Sequence, residues 1–223
     1  MTLEPQGRSK KIALFGGTGP TGRYIIEEAL AQGHRLSVYT RDAAKLSAFS
    51  GRIDIVVGDL KDRDAIKACI AGTDAVISAL GPNGRKTRES LPIMRGLGTI
   101  ISVMEELNVR RLVQISTASY RDPKDGFDLK WRALVAIFKL TVRSAYDDIR
   151  ATAELVSRSR LDWTLVRIPF LKDGPATGRI AVGWYGRAKL GLKLSRGNLA
   201  TFLVDQVTSQ DHIHAAPGIA DGL

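Results

Sequence analysis

Ile12-Ala13-Leu14-Phe15-Gly16-Gly17-Thr18-Gly19-Pro20-Thr21-Gly22 decides the fold of this chain. The apolar run reads as a buried strand, and Ile25, Ile26, Ala29 and Leu30 then fall on one face of a helix. Between them two glycine registers fit, Gly16-x-x-Gly19-x-x-Gly22 and Gly17-x-Gly19-x-x-Gly22. Either one puts glycine where a strand turns sharply, where backbone approaches a pyrophosphate, and where helix packs on strand. The free amides of the helix start then face the phosphates, so a dinucleotide is the expected ligand. A glycine cluster alone also suits a tight turn, but the strand before it and the helix after it favour the nucleotide.

The next strand, 36–40, ends where a chain selective for NAD presents a carboxylate to the adenosine ribose. Here it runs into Arg41, followed by Asp42 and Lys45. A guanidinium stacks on a base and forks onto a phosphate, so Arg41 with Lys45 favours the 2′-phosphate of NADP(H). The competing reading makes Asp42 the N-cap of a short helix from Ala43 and leaves both cations solvated.

A chain of 223 residues, 44% hydrophobic, can bury one sizeable core, and no internal repeat or long linker divides it. A single dinucleotide-binding domain over 10–223 is therefore expected, after a short flexible leader at 1–9. That start lacks an apolar signal region and no apolar run is long enough to cross a bilayer, so a soluble, cytoplasmic protein with no membrane partner is expected. Cys69 is the only cysteine, which excludes an intrachain disulfide and leaves it as a core residue. The net charge of +10 would suit a nucleic-acid binder. The cations are scattered without a nucleic-acid motif, however, and an anionic cofactor accounts for part of them. Arg85, Lys86 and Arg88 form the densest early cluster and serve equally as an anion attractor or a hydrated loop.

Further along, 53–57 reads as a third strand closed by Gly58-Asp59-Leu60, and Ala65, Ile66, Cys69 and Ile70 give a helix stopped at Gly72. A fourth strand at 74–80, a helix at 91–107 and a fifth strand at 111–115 follow. Strands alternating with helices imply the α/β class, a doubly wound parallel sheet of the Rossmann kind. In such a sheet Asp59, Gly81, Ser116 and Thr117 share one crevice with Gly16 and Gly22. From Phe127 the pattern changes, because Leu129, Trp131, Leu134, Val135, Ile137, Phe138, Leu140 and Val142 are too apolar for one exposed helix. They need a cover or a partner. A helix at 144–160, a strand at 163–166 and a Gly-rich remainder ending in a helix at 198–207 suggest a small C-terminal substrate-side lobe.

From about Lys10 to Val207 the chain resembles the atypical short-chain dehydrogenase/reductases, in particular the NAD(P)H-binding group of biliverdin reductase B, flavin reductases and NmrA-like proteins. The likeness rests on Phe15-Gly16-Gly17-Thr18-Gly19-Pro20-Thr21-Gly22, Tyr39-Thr40-Arg41-Asp42, Val57-Gly58-Asp59-Leu60, the segment from Asp74 to Gly81, and Leu161-Asp162-Trp163-Thr164-Leu165-Val166-Arg167-Ile168-Pro169. A last echo surrounds Asn198, where relatives often carry aspartate. The resemblance implies that Thr18, Gly19, Thr21 and Gly22 hold phosphates, Arg41 and Lys45 the 2′-phosphate, and Asp59 and Leu60 the adenine. It assigns Leu80, Gly81, Ser116, Thr117 and Pro169 to the nicotinamide half.

Active members of that superfamily commonly pair a tyrosine with a lysine four residues on, whose ammonium lowers the phenol pKa. Tyr120-x-x-x-Lys124 matches the text, but Pro123 disfavours helix at Asp122. Tyr146 with Arg150 is better placed, although Asp147 and Asp148 would raise the phenol pKa and the group also reads as a solvated helix face. Relatives like biliverdin reductase B manage without the pair, so Ser116 and Thr117 are the first-choice polar groups and Tyr146 a conditional one. His212 and His214 have no accompanying ligand cluster, so no metal is expected, no Gly-x-Ser-x-Gly elbow supports serine catalysis, and His34 reads as surface. The expectation is an NADPH-dependent reductase of a flat conjugated acceptor such as a flavin, quinone or tetrapyrrole. The alternative is a catalytically silent NADP(H) sensor acting on a protein partner. A sugar-nucleotide epimerase or dehydratase comes third, and monomer and dimer both stay open.

Overall fold

A computed structural model of the protein describes residues 9–82 and 91–222. Residues 1–8 of the expected leader and the Arg85, Lys86, Arg88 cluster lie outside them. Strand β1 (Lys11–Phe15) shows how the architecture follows from alternation. Ile12 and Leu14 enter one core cluster with Ile25 and Ile26 of helix α1 (Pro20–Ala31), while Ala13 and Phe15 enter another on the opposite side. A strand apolar on both faces must be covered on both, and that is the doubly wound arrangement.

The remaining parallel strands are β2 (Arg35–Thr40), β3 (Asp54–Val57), β4 (Ala75–Ser78), β5 (Arg111–Thr117) and β6 (Asp162–Ile168). Helices α2 (Arg63–Ile70), α3 (Pro92–Glu106) and α5 (Arg143–Ser157) supply Ile66, Leu97 and Ala153 to the Phe15 side. Helix α6 (Arg196–Asp205) joins α1 on the other, bringing Leu199 and Leu203. The sheet order is β3-β2-β1-β4-β5-β6-β10-β8, with β8 (Ile180–Gly183) antiparallel to β10 (Gly218–Asp221). Strands β7 (Phe170–Lys172) and β9 (Lys193–Ser195) form a separate parallel pair. The C-terminal segment therefore lengthens the main sheet by two strands as well as forming a small sheet of its own.

Three helix starts are set by their own side chains. Asp62 accepts from the Ala65 amide at 2.9 Å, Asp128 from Trp131 at 3.1 Å and Ser195 from Asn198 at 3.1 Å. The last of these starts α6 at Arg196, before the expected Asn198. Strand β4 stops at Ser78, two residues early, with the backbone of Ala79 and Leu80 passing close to Gly16. Strand β5 runs on through Ser116 and Thr117, making them its final residues.

Three expectations about single residues need correction or refinement. His34 is buried, not surface, and its Nδ1 accepts from the Lys10 amide at 3.2 Å. His212 and His214 sit in a turn and bond apart, to Gln206 Oε1 and to the Leu161 carbonyl. Among the described residues no cluster of three His, Cys, Asp or Glu could hold a metal. Asn198 is fully buried, its Nδ2 donating to Asp221 Oδ1 at 2.8 Å while its Oδ1 accepts from the Thr177 amide. An aspartate at this position would set a second carboxylate against Asp221.

Helix α4 (Leu129–Thr141) meets the apolar excess halfway. Trp131 packs on Tyr185, Leu190 and Ala220, with ring centroids of Trp131 and Tyr185 4.4 Å apart. Leu129, Ile137 and Leu140 on the other face stay exposed. Among the described residues no helix is long and apolar enough to cross a membrane.

Candidate functional site

The parallel strands all end on one edge of the sheet, and the expected site residues follow them there. In spatial order that edge carries Asp59 and Leu60 after β3, Arg41 and Lys45 after β2, and Gly16 to Gly22 after β1. Leu80 and Gly81 follow β4, Thr117 ends β5 and Pro169 follows β6. This is the crevice in which open α/β sheets bind ligands.

At the β1–α1 turn Gly16 takes φ +88°, and a Cβ there would stand 2.9 Å from the Ala79 carbonyl. A Cβ on Gly22 would collide with the carbonyl oxygens of Gly16 and Gly17, so helix and turn touch through bare backbone. Gly19 is different. Only the Gly16 oxygen comes near its missing Cβ, at 3.3 Å, and it begins α1 with no side-chain cap and no acid in the first turn. Helices α2, α4 and α6 are capped by their own Asp or Ser and α3 by Asp148, while α5, like α1, has no side-chain cap. An uncapped N-terminus at the head of the crevice fits a pyrophosphate.

After β2, Asp42 Oδ1 accepts from the Ala44 amide at 3.1 Å and caps the 3-10 helix Ala43–Phe49. Asp42 is thus the N-cap, and Arg41 and Lys45 are exposed on either side of its occupied carboxylate. Tyr39 donates to the Asp59 carbonyl at 2.7 Å and fixes the end of β3. Burial pushes its phenol up to about 12, with Asp62 and Asp59 adding to the shift, so it stays a donor at neutral pH.

Beyond β5 opens a cleft of about 470 Å³, lined by Ser119, Tyr120, Trp131, Val135, Tyr146 and Tyr185, with Arg121, Arg132, Lys139 and Arg150 around it. The structure separates the three expected catalytic residues. Ser116 is buried, and its Oγ has no hydrogen-bond partner among the described residues. Thr117 Oγ1 donates to Ser119 Oγ at 3.0 Å and accepts from the Ser119 amide, and Ser119, in the turn after β5, lines the cleft. Tyr146 lines the cleft itself, with Phe138 edge-on at 6.4 Å and Lys139 Nζ 5.7 Å from its ring centre.

Arg150, one turn on, bonds Glu154 at 2.8 Å; Glu154 first and Tyr146 second hold its guanidinium above the usual value. The acids beside Tyr146 are already engaged. Asp148 accepts from the Ile93 and Met94 amides, and Asp147 lies 3.7 Å from Arg143. Tyr120 lines the same cleft, but from a turn, and Lys124 lies over the Trp184 ring instead of beside it.

The wall of this cleft rests on a buried ion pair that no sequence spacing announced. Arg167, with no exposed surface, donates to both oxygens of Asp125 at 2.6 and 2.7 Å and to the Tyr120 carbonyl at 3.2 Å. Asp125 also accepts from the Asp122 and Tyr185 amides, and the guanidinium lies 4.5 Å from the Tyr185 ring centre. Asp122 in turn accepts from the Ala216 amide at 2.8 Å. An arginine directly after the apolar Leu165 and Val166 of β6 is the one available signal, since a buried cation demands a partner.

Residues 16–210 match the family described as NAD(P)H-binding. The isoflavone reductase homolog IRL of Zea mays is 35% identical over 80 residues, which is 32% of this chain and 26% of that protein. The chain spans about a quarter to a third of the length of the curated relatives it first matches. Among solved structures, the oxidoreductase ylbE from Lactococcus lactis is 18% identical with TM-score 0.76, covering 95% of this chain and 91% of that one. ChuY, an anaerobillin reductase from Escherichia coli O157:H7, is 18% identical with TM-score 0.69, covering 95% and 97%. At these identities the two structures share the fold.

Proposed function

This chain belongs to the NAD(P)H-binding family, and we propose that it is an NADPH-dependent reductase of a flat, conjugated acceptor held in the cleft beside α4. The observation that carries the reading is the order of groups along the sheet edge. It runs from the cations after β2, through the uncapped start of α1, to a cleft that opens directly after β5. A dinucleotide laid along that edge brings its nicotinamide end toward the cleft.

In this reading Thr18, Gly19, Thr21 and Gly22 hold the phosphates, Asp59 and Leu60 border the adenine, and Leu80, Gly81, Thr117 and Pro169 border the nicotinamide. Arg41 and Lys45 take the 2′-phosphate, since Asp42 is engaged as a cap. NADPH, when bound, supplies the hydride. Trp131, Val135 and Tyr185 supply apolar and aromatic walls that suit a flavin, quinone or tetrapyrrole. Tyr146, in the cleft with Arg150 one turn on, is the proton donor, while Ser116 is too enclosed to reach an acceptor directly. The names of ChuY and of the isoflavone reductase homologs agree with a reductase.

The second reading, an NADP(H) sensor acting through a protein partner, draws on Arg150 standing where a lysine would serve and being held by Glu154. One experiment decides between them. Purified protein is mixed with NADPH and, in turn, FMN, FAD, quinones and biliverdin, and nicotinamide absorbance is followed. Acceptor-dependent oxidation is expected with at least one. Tight NADPH binding with no oxidation across the panel would overturn the reductase reading and leave the sensor.

A further inference from the structure

We propose that α4 is a docking helix that seats this protein on the surface of an anionic phospholipid bilayer. The inference goes beyond the reductase reading and does not need it. Its starting point is a helix apolar on two opposite faces. Trp131, Leu134, Val135 and Phe138 face the protein, where Trp131 is buried against Tyr185. Leu129, Ala133, Ile137 and Leu140 recur at helical spacing on the other side, and all four are exposed. Leu140 leaves 84% of its surface in solvent, Leu129 70% and Ile137 57%, and Phe127 just before the helix leaves 71%. An apolar stripe this continuous is costly in water and marks an interaction surface.

Charge decides what covers it. Residues 129–141 contain Lys130, Arg132 and Lys139 and no acid; Asp128 before them is engaged as the N-cap, and Arg143 opens α5 after Val142. On the wheel of α4, Arg132 and Lys139 border the stripe on one side; on the other, Lys130 reaches back to donate to the Leu190 carbonyl at 3.1 Å. The exposed acid on the neighbouring helix, Asp147, is answered by Arg143 at 3.7 Å. Long cationic side chains bordering an apolar face, with an aromatic beside them, are what an in-plane helix presents to anionic headgroups. The Phe127 ring and the Arg132 guanidinium lie 5.3 Å apart at this border. A second copy is the weaker occupant, since two identical faces would bring like charges together. The chain's overall charge of +10 adds long-range attraction to the same surface.

The sequence expectation of no membrane partner rested on the lack of a run long enough to span. A helix of 13 residues lying in the interface needs no such run.

The test is co-sedimentation of the full chain with two kinds of vesicle, phosphatidylcholine alone and phosphatidylcholine mixed with phosphatidylglycerol. The protein should pellet with the anionic vesicles, stay in solution with the neutral ones, and release as salt is raised. A double variant, Ile137→Glu with Leu140→Glu, should partition roughly tenfold or more weakly. Unchanged NADPH titration would show that the variant still folds. Failure of the wild type to pellet would overturn the proposal, as would equal pelleting of the variant. Sedimentation velocity supplies the remaining outcome: a wild-type dimer that the double variant splits would mean that a second copy covers the stripe.

Discussion

The two ends of the crevice are built differently. Where β1 meets α1, the surface is backbone: a positive φ at Gly16, a missing Cβ at Gly22, and amides that no side chain caps. Where β5 and β6 end, the surface is side chains drawn from distant segments, with Arg167 clamping Asp125 across 42 residues and Trp131 resting on Tyr185. A ligand part common to many proteins, the pyrophosphate, suits the first construction, and a part that differs from protein to protein suits the second. Damage to the first should abolish cofactor binding, whereas damage to the second should leave binding and alter turnover.

Gly22→Val has the largest expected effect. Its side chain would overlap the Gly16 and Gly17 carbonyls, so loss of measurable NADPH binding in a titration is expected, with lowered thermal stability. Asp125→Asn comes next. Removing one charge of a buried pair costs about 3–5 kcal/mol, so the melting temperature should fall sharply in calorimetry. NADPH affinity per folded molecule should change little, because Asp125 lies on the cleft side.

Tyr146→Phe sharpens the contrast within the cleft. Turnover should drop roughly a hundredfold or more, the scale of a lost general acid, with cofactor affinity unchanged, while Tyr120→Phe keeps most of its rate. Arg41→Glu is the smaller, opposite case. NADPH affinity should fall on the order of tenfold or more at fixed ionic strength, with NADH affinity better preserved.

The smallest effect is pH-dependent. Burial lowers the pKa of both His34 and His212 below 6.5, so the unfolded chain takes up protons that the folded chain refuses. Stability is therefore greatest above about 6.5 and declines as pH falls below it. The Lys10 amide requires an unprotonated Nδ1 on His34, so His34→Gln should flatten this dependence in melts taken across that range.

The same division governs what the sequence could tell. Alternating apolar residues in β1 and helical periods in α1 to α3 are local patterns, and they specify the doubly wound sheet and the glycine turn without reference to anything distant. Arg41 with Asp42 was legible too, since both the cap and the exposed cations follow from neighbouring residues. His34 was not, because its burial depends on the Lys10 segment returning beside it. Nor could spacing reveal that Asp148 would cap α3, or that Ser116 would be enclosed while Thr117 bonded Ser119. Phe127 to Val142 was readable as needing a cover, but not as a helix covered on one face only.

A crystal structure of the protein with NADP⁺ would show where each end of the dinucleotide lies along the sheet edge. The adenine is expected beside Asp59 and Leu60, the 2′-phosphate on Arg41, and the nicotinamide beside Leu80, Gly81 and Pro169, open toward Tyr146 and Trp131. A dinucleotide bound with its nicotinamide turned away from that cleft, or bound elsewhere, would contradict it.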